Sequence, residues 1–81
     1  MRIDVKMPDL SATEGSDILV RRWLVPEGAR VKRGQPLLEV ETDKATTEVE
    51  SVATGIVAEI LARPDLKVAI GQVIARIEVD P

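Results

Sequence analysis

An 81-residue chain with 11 basic and 14 acidic residues carries a formal net charge of −3, which argues against a nucleic-acid phosphate backbone as partner. It holds no Cys, His, Tyr or Phe and a single Trp, which excludes disulfides, thiolate or imidazole metal sites, the usual nucleophile–base pairs and aromatic stacking platforms. No run reaches the roughly eighteen apolar residues of a membrane span, and Met1 to Lys6 lacks the apolar centre of a signal peptide, so one small soluble, intracellular domain is expected rather than a self-contained enzyme.

Taken in chain order, apolar and polar residues alternate with the period of β-structure. The first expected strand is Arg2 to Met7. Leu10 to Asp17 is aperiodic and rich in small polar residues, and reads as a surface loop. Strands are then expected at Ile18 to Leu24, at Arg30-Val31 and at Leu37 to Thr42. Pro26-Glu27-Gly28 would place Pro and Gly at the second and fourth positions of a type I turn, and Gly34 would allow a tight bend. Leu38, Val40 and Thr42 share one side of their strand, opposite Glu39, Glu41 and Asp43. Thr47, Val49 and Ser51 again share a side, opposite Thr46, Glu48 and Glu50, which makes a β-hairpin with Lys44 at its apex. Further strands are expected at Thr46 to Glu50, Gly55 to Leu61, Lys67-Val68 and Val73 to Val79, with Pro64-Asp65 opening a turn and Gly71 repeating Gly34. Trp23 alternates with Arg22 and is expected in the core.

A shift of 37 residues aligns Ile18 to Asp43 with Gly55 to Asp80 without a gap. Seven of the 26 aligned positions are identical, among them Val20/Val57, Val31/Val68, Gly34/Gly71, Gln35/Gln72 and Asp43/Asp80. Two copies imply a pseudo-twofold domain rather than a solenoid, which needs at least three. The expected fold is all-β: a flattened antiparallel barrel or sandwich of two pseudo-twofold-related four-stranded sheets, a barrel-sandwich hybrid. The symmetry would set Lys44 and the C-terminus at opposite ends. Residues 1–80 are expected to form the domain, with Pro81 as the possible start of a linker.

Asp43-Lys44-Ala45 on such a hairpin, preceded by Gly34-Gln35-Pro36-Leu37 and followed by Gly71-Gln72-Val73-Ile74-Ala75-Arg76-Ile77, resembles the lipoyl domain of 2-oxo acid dehydrogenase acyltransferases. The resemblance runs from Val5-Lys6-Met7-Pro8-Asp9-Leu10 to Glu78, and Glu41-Thr42-Asp43-Lys44-Ala45-Thr46 looks most like the pyruvate type. It implies lipoate joined through an amide to Lys44, with Asp43 and Ala45 as the modification motif. The implied role is a swinging-arm carrier, not catalytic by itself and without a metal. Such a carrier takes an acyl group and electrons from a thiamine-diphosphate-dependent 2-oxo acid decarboxylase and passes the acyl group to coenzyme A at the acyltransferase core. It is then reoxidised by dihydrolipoyl dehydrogenase. Lipoylating enzymes are implied as further partners, and a monomer in the bacterial cytoplasm or the mitochondrial matrix is expected.

In the related domains the loop before the second strand lies near the lipoyl-lysine, which makes Thr13, Glu14, Gly15 and Ser16, together with Glu41, candidates for partner recognition. Glu39, Glu41, Glu48 and Glu50 read equally as the polar face of half-exposed strands. Two alternatives stand beside the carrier of lipoate. A biotinyl carrier would normally flank the lysine with methionines, where Asp43 and Ala45 stand here, and an unmodified β interaction module would leave Lys44 as a solvated lysine.

Overall fold

The computed structural model describes residues 1–9, 18–42 and 45–79. Among these lie eight strands: β1 (Arg2–Lys6), β2 (Ile18–Trp23), β3 (Arg30–Val31), β4 (Pro36–Glu41), β5 (Thr46–Glu50), β6 (Gly55–Ile60), β7 (Lys67–Val68) and β8 (Val73–Val79). All eight expected strands are present, each end within one residue of its expected place. They form two antiparallel four-stranded sheets, ordered β5-β4-β2-β7 and β1-β8-β6-β3.

The repeat read from the sequence is the repeat of the fold. A shift of 37 residues carries β2, β3 and β4 onto β6, β7 and β8, and converts one sheet order into the other. The short strand of each half pairs in the sheet of the other half, so the halves interlock. Reciprocal main-chain bonds mark the exchange: Gly28 N–H to Val57 O at 2.7 Å and Asp65 N–H to Val20 O at 2.8 Å. For β1 and β5 the shift is instead 44 residues. The bond from Gly34 N–H to Ser51 O repeats from Gly71 N–H to Met7 O, both at 2.8 Å. The first sheet-to-sheet passage, after β1, is thus longer than the second by seven residues, the difference between the two shifts.

The core between the sheets is assembled from symmetry mates. Val20 and Val57, Val31 and Val68, Val40 and Ile77, and Val5 and Val49 are all buried. Leu37 and Leu38 are both buried, as are their mates Ile74 and Ala75, although strict alternation would expose one of each pair. The pairing register of β4 with β5 shifts between Pro36 and Leu38, and that of β8 with β1 shifts in the matching place, so each pair sits at a bulge. Trp23 is half-buried against the core, as expected, and its Nε1–H donates to the Ala62 carbonyl.

The turns differ from the expectation in one respect. Ala29 N–H bonds Pro26 O at 3.2 Å, which makes Pro26 the first residue of its turn and Gly28, at φ +89°, the third. A positive φ at the third position belongs to type II, not type I. The mate of Gly28 is Asp65 at φ +71°, so Pro64 matches Glu27 and not Pro26.

Candidate functional site

β4 and β5 form an antiparallel hairpin in the register Leu38↔Val49, Glu39↔Glu48, Val40↔Thr47 and Glu41↔Thr46. Burial follows the alternation: Val40 and Val49 are inside, whereas Thr46, Glu48 and Glu50 are exposed. One side anchors the hairpin on the core and the other meets solvent. Beyond the last pair, Thr42 N–H bonds the Ala45 carbonyl at 2.9 Å. Thr42 Oγ1 donates to the same carbonyl at 3.1 Å and accepts from Ala45 N–H at 3.3 Å. Two residues therefore link Thr42 to Ala45, and those are Asp43 and Lys44, which lie outside the described residues. Ala45 itself is exposed and Thr42 half-buried.

Of the acidic residues on this hairpin, Glu41 and Glu39 are engaged. Arg21 Nη1 lies 3.2 Å from Glu41 Oε1, and Arg22 meets both oxygens of Glu39 through Nε at 3.0 Å and Nη2 at 3.3 Å. The hydrogen bond to Glu39 and then its charge hold the Arg22 guanidinium above its ordinary pKa, with a further contribution from Glu48. Glu39 and Glu48 are direct cross-strand neighbours, a like-charge pair that costs stability unless a cation intervenes. Arg22, opposite Glu39 on β2, is that cation. These contacts place Glu39 and Glu41 on the polar face of the sheet, each beside an arginine of β2. Arg21 and Arg22 carry no sequence signal beyond being two arginines in a strand, and their roles appear only once β2 lies against β4.

Thr13, Glu14, Gly15 and Ser16 also lie outside the described residues, as do Asp80 and Pro81. Among the described residues, grooves run between the halves. One, of about 540 Å³, is lined chiefly by Trp23, Leu24, Val25, Pro26, Ile60 and Pro64. Another, of about 280 Å³, lies between β1 and β5 and brings Val5 and Pro8 together with their mates Val49 and Val52. Among the described residues no group of three or more acidic, His or Cys side chains is placed to hold a metal ion.

The end of the domain opposite the hairpin repeats its closure. Val79 N–H bonds the Met1 carbonyl at 2.8 Å, and Val79 and Met1 are the mates of Thr42 and Ala45 under the shifts of 37 and 44. The molecule measures 38 × 19 × 18 Å.

The sequence matches the family described as "Biotin-requiring enzyme", of the biotin/lipoyl type, over residues 3–77. It is 51% identical over 76 residues to the dihydrolipoyllysine-residue acetyltransferase component of pyruvate dehydrogenase complex from Zymomonas mobilis, covering 93% of this chain and 17% of that protein. The corresponding component from Corynebacterium glutamicum is 49% identical over 76 residues, with 91% and 11% covered. This chain therefore spans less than a fifth of the length of either. Among solved structures, the lipoyl domain of the 2-oxoglutarate dehydrogenase complex from Azotobacter vinelandii superposes with a TM-score of 0.75 at 32% identity, covering 94% of this chain and 95% of that one.

Proposed function

Because this chain belongs to the biotin/lipoyl family and is a lipoyl domain within it, we propose that Lys44 carries lipoate as a swinging arm for a pyruvate-type 2-oxo acid dehydrogenase complex. The observation that carries this reading is the hairpin closed at Thr42 and Ala45 with only residues 43 and 44 between them, at the end opposite Met1 and Val79. Lipoate is joined to the protein by an amide to a primary amine and needs no pocket to seat it. Loss of the ammonium charge would leave the domain one unit more negative than its formal −3.

The domain's own residues supply placement. Leu38, Val40 and Val49 fix the hairpin to the core, Arg21 and Arg22 brace its outer face, and Thr42 and Ala45 close it. When bound, lipoate supplies the dithiolane that takes an acyl group and electrons from a thiamine-diphosphate-dependent decarboxylase, yields the acyl group to coenzyme A at the acyltransferase core and is reoxidised by dihydrolipoyl dehydrogenase. In this reading the isolated domain is a monomeric carrier, a substrate of those enzymes and of the lipoylating enzymes. Residues 1–80 form the domain and Pro81 begins a linker. Thr13, Glu14, Gly15 and Ser16, together with Glu41, serve recognition by the decarboxylase, and Asp43 and Ala45 mark the lysine for modification. The complex would work in the cytoplasm of a bacterium or the mitochondrial matrix of a eukaryote.

Incubation of the domain with lipoate, ATP and a lipoate ligase, followed by peptide mapping, tests the attachment. Label is expected on Lys44 alone and absent from Lys44→Gln. Label on Lys6, Lys32 or Lys67 would overturn it. Reductive acylation of the lipoylated domain by pyruvate, 2-oxoglutarate and branched-chain decarboxylases then tests the complex, with the pyruvate enzyme expected to act fastest.

A further inference from the structure

We propose that Thr42 is a positioning residue for the modification of Lys44, because its hydroxyl clasps both polar main-chain groups of Ala45 and so fixes the gap that residues 43 and 44 must bridge. The inference rests on the reading of Lys44 as the attachment residue. Thr42 continues the inward-facing series Leu38, Val40, where the alternation calls for an apolar side chain. Its symmetry mate at the far end of the domain is Val79, which has the same shape and no hydroxyl. Each makes the same main-chain bond, Thr42 N–H to Ala45 O at 2.9 Å and Val79 N–H to Met1 O at 2.8 Å. At the hairpin alone a side chain adds to it, donating to Ala45 O at 3.1 Å and accepting from Ala45 N–H at 3.3 Å. The side chains at these two mated positions therefore differ by one methyl exchanged for one hydroxyl, and the hydroxyl stands at the closure from which residues 43 and 44 depart.

A connection of two residues transmits the geometry of its ends directly, since it has few dihedrals with which to compensate. A ligase that receives the lysine amine at an activated carboxyl binds productively only those molecules whose hairpin is already in the competent geometry. Removal of the hydroxyl leaves the main-chain bond and abolishes the two side-chain bonds. The fraction of molecules with a competent hairpin then falls, and the apparent affinity for the ligase falls by the same fraction. The loss belongs in KM and leaves kcat unchanged.

Thr42→Val keeps the shape and removes the hydroxyl, whereas Thr42→Ser keeps the hydroxyl and removes the methyl. The experiment measures initial rates of Lys44 lipoylation over a range of domain concentrations with lipoate, ATP and a lipoate ligase, beside urea melts of each variant. Stability should rank Val at least as high as Ser, because Val favours strands. Lipoylation should rank the other way: Ser close to the parent, and Val with a KM raised about fivefold, the order expected from one net hydrogen bond. A purely structural residue would rank both properties alike. Equal KM values for Val and the parent, or a Ser variant as poor as Val, would overturn the proposal alone. Absence of label from Lys44 of the parent would overturn the attachment reading together with it.

Discussion

At one end of the domain Thr42 N–H bonds the Ala45 carbonyl across a connection of two residues; at the other, Val79 N–H bonds the Met1 carbonyl between the opposite ends of the sequence. The strands that lead to these two closures match: β4 and β8 share a burial pattern over their first five residues, a bulge and a type II-like turn whose Gly34 or Gly71 stands at positive φ. Even the side-chain bond that seals the turn is repeated, from Lys32 N–H to Gln35 Oε1 at 3.0 Å and from Ala69 N–H to Gln72 Oε1 at 3.1 Å. The comparison shows what the symmetric scaffold leaves undetermined. Core, register and turns are common to both halves, so whatever distinguishes the hairpin end must lie in positions where mates differ in chemistry. Thr42 against Val79 is one of them, and Ile18 against Gly55 is another.

The largest effect is expected at that second pair. Ile18 buries a whole side chain, whereas a Cβ placed on Gly55 would stand 2.1 Å from the Glu78 carbonyl oxygen, a main-chain atom with no rotamer to yield. Gly55→Ala should therefore force β6 away from β8 and cost about 3 kcal/mol or more, the upper range of overpacking penalties. Urea melts would measure it. A cost under about 1 kcal/mol would mean that β8 moves aside freely and that the two halves are less alike in stiffness than in shape.

Next come the core mates Val40 and Ile77, both fully buried. Val40→Ala should cost about 1–3 kcal/mol and Ile77→Ala about 2–4 kcal/mol, with the extra methylene making the difference. If Ile77→Ala proved the milder change, one half would be packing more tightly than the other despite equal burial.

Most of this framework can be read from the sequence, because a gapless 37-residue shift with Val20/Val57, Val31/Val68 and Gly34/Gly71 in register leaves few ways to arrange the strands. The burial of Leu37 and Ile74 is not legible, since period-two alternation has no term for a bulge and exposes one residue of each adjacent apolar pair. The mating of β1 with β5 is hidden for a different reason. It needs a shift of 44, and positions such as Met7 and Ser51 share a main-chain role without sharing chemistry. Pro26 misleads because proline suits the second position of a turn, yet Gly28 fixes the register from the position where φ must be positive. At the site, the alternation and the lysine stand out at once. The clasp by Thr42 does not, because a threonine in a strand carries no mark of where its hydroxyl points.

A smaller, matched effect is expected at the turn glycines. Gly34 and Gly71 stand at φ +89° and +88°, and a Cβ added at either would meet nothing within 4 Å, so alanine finds open space in both turns. Only the left-handed backbone penalises the change, by about 1–2 kcal/mol. Gly34→Ala and Gly71→Ala should agree within a few tenths of a kcal/mol, and a wide disparity in urea melts would show that one turn is braced by something its mate lacks.

The smallest effect concerns Glu78, whose mate Glu41 is paired with Arg21. Glu78 Oε2 accepts from the Met1 ammonium at 2.6 Å, and its Oε1 from Arg2 Nε at 3.4 Å. The hydrogen bond to the ammonium, then its charge and the contacts with Arg2, hold the Glu78 carboxyl below the ordinary value of 4.5. A carboxylate whose pKa is lowered by folding stabilises the native state above its unfolded pKa and loses that contribution as pH falls through the folded one. Parent and Glu78→Gln should therefore differ at neutral pH and converge as acidification passes below about 4.5. The groups are exposed, so salt should narrow the neutral-pH difference by screening. Urea melts across that pH range at low and high salt would resolve it. A gap that persists in acid would mean that Glu78 contributes through its stem against β1 and β6 rather than through its charge, and that Met1 is held at Val79 by the main-chain bond alone.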